Sequence, residues 1–178
     1  MSRETRRHYQ AELKAKGRES FLHAYPYPFL VFREHLETVG GWEDFVTGPI
    51  HLGGLKTTSR EEPSEPVDDD PTEPSVRRIA KAPGNPWLSR ISVGRAGNND
   101  LVVPSGSVSK LHAHFTIAEG SVVQLTDTGS QNGTKVNGSV LKSGVATALR
   151  AGDEISFGDV RAVFHTADTF ADYLGGPF

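Results

Sequence analysis

The chain contains no cysteine, which excludes disulfide staples, thiolate metal sites and a cysteine nucleophile, and suits a reducing compartment. Excess charge is lacking too: 19 Lys and Arg stand against 22 Asp and Glu, for a net charge of -3. Without a basic field, nonspecific binding to nucleic-acid phosphates is not expected. Long hydrophobic runs are missing. Nothing approaches the roughly 18 consecutive apolar residues of a spanning helix, and the charged start MSRETRRHYQAELKAKG has no apolar signal core. These absences predict a cytoplasmic protein with no membrane partner, and they leave NGT at 132–134 and NGS at 137–139 with little weight as glycosylation acceptors. What the chain does have, 178 residues of which 36% are hydrophobic, suffices for one compact core.

The first two dozen residues read as helix, with Ser2 as a possible cap, Tyr9 and Leu13 four apart, and Gly17 as a stop or break. In YPYPFLVF the prolines forbid helix, so Phe29 to Phe32 reads as a short strand, with an edge position open to it. Residues 61–75, EEPSEPVDDDPTEPS, hold seven acidic side chains and almost nothing to bury. They predict a linker or long surface loop, because charge repulsion and chain entropy both oppose collapse. SRISVG, DLVV, HFTI, SVVQLTD, EISFG and VRAVFHT then follow as short alternating or β-rich runs separated by Gly, Asn, Pro and Ser. That spacing predicts an all-β sandwich or barrel, and no apolar helical repeat is present to cross between parallel strands. The tail TADTFADYLGG reads as helix, capped at Thr166 or Asp168 and stopped at Gly175. The organisation expected is an N-terminal helical and extended segment over 1–60, an acidic linker or loop over 61–75, and a β domain with a closing helix over 76–178.

Three loops between strands carry the chemistry: GRAGNND at 94–100, SGSVSKLHAH at 105–114 and TGSQNGTKVNG at 128–138. Strand-connecting loops gather at the ends of a sandwich, so their side chains can share one site. Arg95, at a strand end, offers a planar fork suited to a doubly charged oxyanion. Ser109 adds a hydroxyl donor and Lys110 a point charge at the rim. Asn132 supplies both a donor and an acceptor, which suits the backbone of an extended peptide. Gly133 and Gly138 each follow an asparagine, the pairing that tolerates positive φ in tight turns.

Enzymatic readings fit less well. GSQNGTK has Lys and Thr in the wrong order for a phosphate-binding P-loop, and a strand follows where a helix start is required. Ser109, His112 and Asp127 are the residue types of a hydrolase triad, yet there is no nucleophile elbow. His112 and His114 would share a strand face, but a metal needs further ligands, and nothing brings His51 or His165 to them. A hydrogen-bonded structural histidine is the simpler expectation.

Taken in order, Gly94-Arg95, Asn99-Asp100, SKLH at 109–112, DTGSQNGT at 127–134, Asn137-Gly138 and GDEISFG at 152–158 resemble the forkhead-associated (FHA) domain. The resemblance covers about residues 76–166. It implies a β-sandwich of two twisted sheets, here with a short helical N-terminal segment and a short C-terminal helix. It also implies a phosphothreonine-peptide site at one end, with no cofactor and no catalysis. Arg95 and Ser109 would contact phosphate, Lys110 and Gln131 would occupy neighbouring positions, and Asn132 would hold the peptide backbone. Gly94, His112 and Gly133 would support the loops. Lys110 stands where many members have arginine, and lysine binds phosphate with less direction. SVRRIAK and PFLVF are candidates for the early strands of the family, which would make the acidic stretch an insertion; otherwise the first 60 residues are an appendage.

The functional expectation is a signalling adaptor that binds phosphothreonine-bearing partners, substrates of a Ser/Thr kinase or the kinase itself. The alternative is a scaffold protein that uses the fold for assembly without phosphate dependence. Thr57, Thr58 and Thr72, in or near the flexible stretch, are candidates for phosphorylation that would let the chain occupy its own site.

Overall fold

The computed structural model describes residues 5–33, 36, 73–83, 85–87, 89–118 and 121–176. Ser2, His51, Thr57, Thr58, Thr72 and most of the acidic stretch lie outside the described residues. Two helices open the chain, α1 (Arg6–Lys16) and α2 (Arg18–Ala24). Thr5, not Ser2, caps the first, its hydroxyl accepting the His8 amide at 3.2 Å. Gly17, at φ +75°, breaks the two apart.

Eleven strands form two sheets: β1 (Phe29–Phe32), β2 (Val76–Arg78), β3 (Ile91–Gly94), β4 (Leu101–Val102), β5 (Ala113–Ile117), β6 (Val123–Asp127), β7 (Thr134–Val136), β8 (Ser139–Val140), β9 (Thr147–Ala148), β10 (Glu154–Phe157) and β11 (Val160–His165). The six-stranded sheet runs β2-β1-β11-β10-β7-β8, and the five-stranded sheet runs β4-β3-β5-β6-β9. Every pairing is antiparallel except β3 with β4, where Val93 lies beside Leu101. A third helix, α3 (Ala167–Gly175), closes the described chain behind a capping box formed by Thr166 and Thr169.

β1 explains much of the architecture. Its four residues are all buried, so the strand has no solvent face. Leu30 and Phe32 join the core between the sheets, with Ile91, Val93, Phe115, Leu125, Ile155, Phe157 and Phe164. Phe29 and Val31 turn the other way, into a second cluster with Tyr9, Phe21, Val76, Phe170 and Leu174. Three helices therefore cover the outer face of one sheet. Aromatic residues make up only 8% of the chain, yet Tyr9 packs edge-on against Tyr25, Phe29 and Phe170 with centroids 5.2 to 5.4 Å apart. Phe29 and Phe170 stack at 4.0 Å. Each such side chain contributes about 1.5 to 3 kcal/mol by leaving water.

The edge position considered for Phe29–Phe32 is not found. β1 lies inside the sheet, with Leu30 opposite Phe164 on β11 and Arg77 on β2. A central position follows from the two-sided apolarity of FLVF, since an edge strand would leave one face or one row of backbone groups in water. β2 takes the edge. The Phe32 amide donates to the Ser75 carbonyl at 2.8 Å, so the chain between residues 33 and 74 leaves and re-enters at adjoining points of one sheet. The acidic sequence is thus inserted between two paired strands.

Candidate functional site

The three loops singled out in the sequence meet at one end of the sandwich. β3 ends in Gly94, and the next residue, Arg95, donates its backbone N–H to the Ser109 carbonyl at 3.0 Å. Asn99 ties the same two loops again. Its buried carboxamide donates to the Ala96 carbonyl at 2.8 Å and to the Lys110 carbonyl at 2.7 Å. Gly94 is required by this closeness. A Cβ there would sit 2.2 Å from the Lys110 carbonyl oxygen, so the need is for space, not for an unusual φ.

His112 ties the second loop to the third. The Ser109 amide donates to His112 Nδ1 at 3.1 Å, and Nε2 lies 3.2 Å from the Gly133 carbonyl. Accepting at Nδ1 leaves the ring proton on Nε2, where it can donate to that carbonyl. Burial lowers the His112 pKa below the ordinary histidine value, with the Gly133 carbonyl and the Asp127 charge opposing it in part. The ring is therefore a neutral brace with both nitrogens engaged, packed edge-on to Phe157 at 5.7 Å. A hydrolase triad is not assembled. Ser109 meets the ring through its backbone, and the Asp127 carboxylate bonds to Ser130 and Thr134 instead. His114 sits half-buried on β5 opposite Ser92 and Thr126. Among the described residues no group of three or more His, Asp and Glu side chains gathers as a metal site would require.

Ser109 also positions the third loop. Its Oγ accepts the Gln131 amide at 3.0 Å, which leaves its own hydroxyl proton available to donate elsewhere. Beside it, the Asn132 carboxamide donates to the Ser107 carbonyl at 2.8 Å and keeps its oxygen as an acceptor. Gly133, at φ +75°, turns the chain after Asn132 and hands it to β7. The other Asn-Gly pair has a different task. Asn137 and Gly138, at φ 51° and 80°, make the two-residue reversal between β7 and β8. Arg95, Lys110, Gln131 and Asn132 are all exposed, and among the described residues neither cation has an acidic partner within ion-pair distance.

Several residues of this scaffold carry no obvious local signal. Ser107 receives Asn132 and also accepts the Asp159 amide at 3.1 Å, while a Cβ on Gly158 would approach the Ser107 carbonyl to 2.5 Å. The β10–β11 turn thereby clamps the loop that holds Asn132. Asp127 is more legible. Its Oδ1 accepts from Gly129 N at 2.8 Å and Ser130 N at 3.1 Å, and its Oδ2 from Ser130 Oγ at 2.5 Å and Thr134 Oγ1 at 2.6 Å. Burial alone would raise this carboxyl, but those bonds outweigh it and hold the pKa below the usual carboxylate value. Asp-x-Gly-Ser is a turn signature that could have marked it.

None of the described helices is long and apolar enough to cross a membrane. Residues 91–158 match the family model described as FHA domain. The chain is 41% identical over 75 residues to the glycogen accumulation regulator GarA of Mycolicibacterium smegmatis, covering 42% of this chain and 45% of that protein. It is also 41% identical over 73 residues to an oxoglutarate dehydrogenase inhibitor of Corynebacterium efficiens, covering 41% of this chain and 49% of the relative. The chain thus spans about half the length of the curated relatives it matches. Among solved structures, the N-terminal FHA domain of Rad53p from S. cerevisiae, in complex with a phosphothreonine peptide, aligns at 25% identity with a TM-score of 0.42, covering 47% of this chain and 73% of that one.

Proposed function

We propose that this chain, which carries an FHA domain at residues 91–158, is a non-enzymatic cytoplasmic adaptor that binds phosphothreonine in an extended segment of a partner protein, downstream of a Ser/Thr kinase. The observation that supports the reading is that the loops carrying Arg95, Ser109 and Asn132 are tied to one another through bonds that leave the Ser109 hydroxyl proton and the Asn132 carboxamide oxygen open. Arg95 and Lys110 supply positive charge that no carboxylate of the described chain consumes. The Ser109 hydroxyl retains its donor, and Asn132 presents its oxygen to a peptide N–H. A phosphate near charge -2 would engage several charge-assisted bonds, each worth roughly 1.5 to 3 kcal/mol, which a plain threonine hydroxyl cannot replace.

Ordering an extended peptide offsets part of that gain, so the affinity expected is in the micromolar range, on the order of -7 to -8 kcal/mol. Calorimetric titration with a phosphothreonine peptide selected from an array tests the reading. Arg95→Ala is expected to weaken binding by about 30- to 100-fold with the melting temperature unchanged. Equal affinity of the wild type for phosphorylated and plain peptide would refute it.

A further inference from the structure

The helical layer covers only part of the six-stranded sheet. It packs on Phe29 and Val31 of β1, on Val76 of β2 and, through the contact of Phe170 with His165, on β11. Beyond it, toward β10, β7 and β8, the outer face is open, and Val140 on the last strand is 68% exposed. Strand register lines up one row of side chains on that face. Arg33, one step past β1, donates its amide to the Arg161 carbonyl of β11 at 3.1 Å, so the two arginines stand opposite each other. Arg161 is opposite Ser156 of β10, Ser156 is opposite Lys135 of β7, and Lys135 is opposite Val140 of β8. The neighbours Phe32, Ala162, Ile155, Phe157 and Thr134 are buried, which points this row outward. Adjacent strands lie about 4.8 Å apart, so three cations and a hydroxyl share a strip about 14 Å long.

Like charges directly opposite each other on a sheet repel, yet Arg33 and Arg161 are placed in that way. Glu154, on the next outward row, pairs with Arg33 at 2.5 Å. Asp153 is engaged elsewhere, by Asn137 Nδ2 and the Arg150 amide. Among the described residues, Asp159 of the β10–β11 turn included, no carboxylate lies within ion-pair distance of Arg161 or Lys135. We infer that this strip is a second interface, one that takes an acidic segment of a partner protein and works without phosphorylation. Carboxylates fit it, because guanidinium and ammonium groups give them charge-assisted hydrogen bonds that no group of the described chain consumes. Nucleic acid fits less well, since Glu154 borders the strip and the chain as a whole carries -3. The strip lies on the sheet face and not among the loops of Arg95, Ser109 and Asn132, so it does not depend on the phosphothreonine reading.

The test is titration of the isotope-labelled full chain with a blocked oligoglutamate, read by amide NMR shifts. Shifts are expected at Lys135, Ser156 and Arg161, and they should fade as salt rises to about 0.5 M. Arg161→Glu with Lys135→Glu should weaken this binding by about tenfold and leave the affinity for a phosphothreonine peptide as it was. Arg161→Gln with Lys135→Gln should also weaken it, and covers the case in which the double reversal does not fold. Arg161→Glu alone replaces a like charge opposite Arg33 by a carboxylate, so it should melt no lower than wild type. A lower melt means that Arg161 serves the sheet, and overturns the interface. Shifts confined to Arg95, Ser109 and Lys110, or no shifts, overturn it too, as does a phosphopeptide affinity that falls with the reversal. Equal binding of an oligothymidylate of the same charge overturns the protein partner in favour of any polyanion. Oligoglutamate binding that appears only when the acidic residues of 61–70 are changed to their amides overturns it in favour of the chain's own acidic sequence.

Discussion

Replacing Gly94 by alanine tests the geometry on which the site depends. The added Cβ would lie 2.2 Å from the Lys110 carbonyl oxygen and 2.8 Å from Asn99 Nδ2. These atoms cannot rotate aside, because one is backbone and the other is a carboxamide bonded at 2.7 Å to that same carbonyl. Relief requires the second loop to move off β3, which strains the Arg95 to Ser109 bond and the His112 amide's bond to the Val93 carbonyl, 3.0 and 2.8 Å long. Overpacking costs about 1 to 3 kcal/mol, and a disrupted net hydrogen bond adds about 0.5 to 1.5 kcal/mol. The total is about 1.5 to 4.5 kcal/mol. For a chain of this size each kcal/mol lowers the melting temperature by roughly 2 to 4 °C, so Gly94→Ala should melt about 3 to 18 °C below wild type and lose phosphopeptide binding. Two other glycines are internal controls. Gly106 has open space and an ordinary φ, so Gly106→Ala should shift the melt by no more than about 0.5 kcal/mol. Gly138 has open space but φ +80°, so Gly138→Ala should cost about 1 kcal/mol of backbone strain alone. Differential scanning calorimetry of the three gives the order; a Gly94→Ala protein as stable as Gly106→Ala would refute the reasoning.

Stability should also follow pH in two steps. His112, His114 and His165 are all lowered from the ordinary value, chiefly by burial, so below about pH 6.5 the unfolded chain takes up protons that the folded one refuses. Stability is full above that pH and falls as pH drops through it, and a melting temperature flat from pH 7.5 to 5 would contradict the buried histidines. Asp100 and Asp127 are held below their ordinary value by hydrogen bonds that outweigh burial, so their contribution persists above about pH 4 and disappears as pH falls through their depressed folded values. In the helical layer, Tyr9 is 1% exposed and packs against rings that include Tyr25, Phe29 and Phe170. Tyr9→Ala should cost about 3 to 5 kcal/mol in urea denaturation, while phosphopeptide affinity of the folded fraction stays unchanged. An effect under about 1 kcal/mol would mean that the helices do not seal the sheet.

Legibility in the sequence tracked how local each determinant is. Alternation exposed β3, β5, β6 and β11 because one face of each meets the core and the other is more polar, the pattern that a period of two records. Asn137-Gly138 announced its reversal for the same reason: both residues carry the positive φ themselves. FLVF was legible as a strand but not in its position, since the strands that flank it, β2 and β11, and the third helix over its second face are distant in sequence. At the site, Arg95, Ser109 and Asn132 stood out by chemistry and by their order along the chain. Ser107 and Gly158 lay inside quoted blocks, but their pairing did not stand out, because it is a close approach between residues some fifty positions apart, and a single chain shows no trace of that. The two-residue β8 and β9 lie below what periodicity can resolve.

The interior position of β1 separates what is recognisable in this chain from what can fold. A fragment trimmed to residues 91–158 would keep the three binding loops but discard β1, β2 and β11, and with them Leu30, Phe32 and Phe164. β10 would become a bare border with its row of amides and carbonyls facing water, next to a hollowed interior, and identical fragments would add to one another along that border. A piece that keeps this sheet whole therefore has to span β1 to β11, with the acidic sequence carried between β1 and β2.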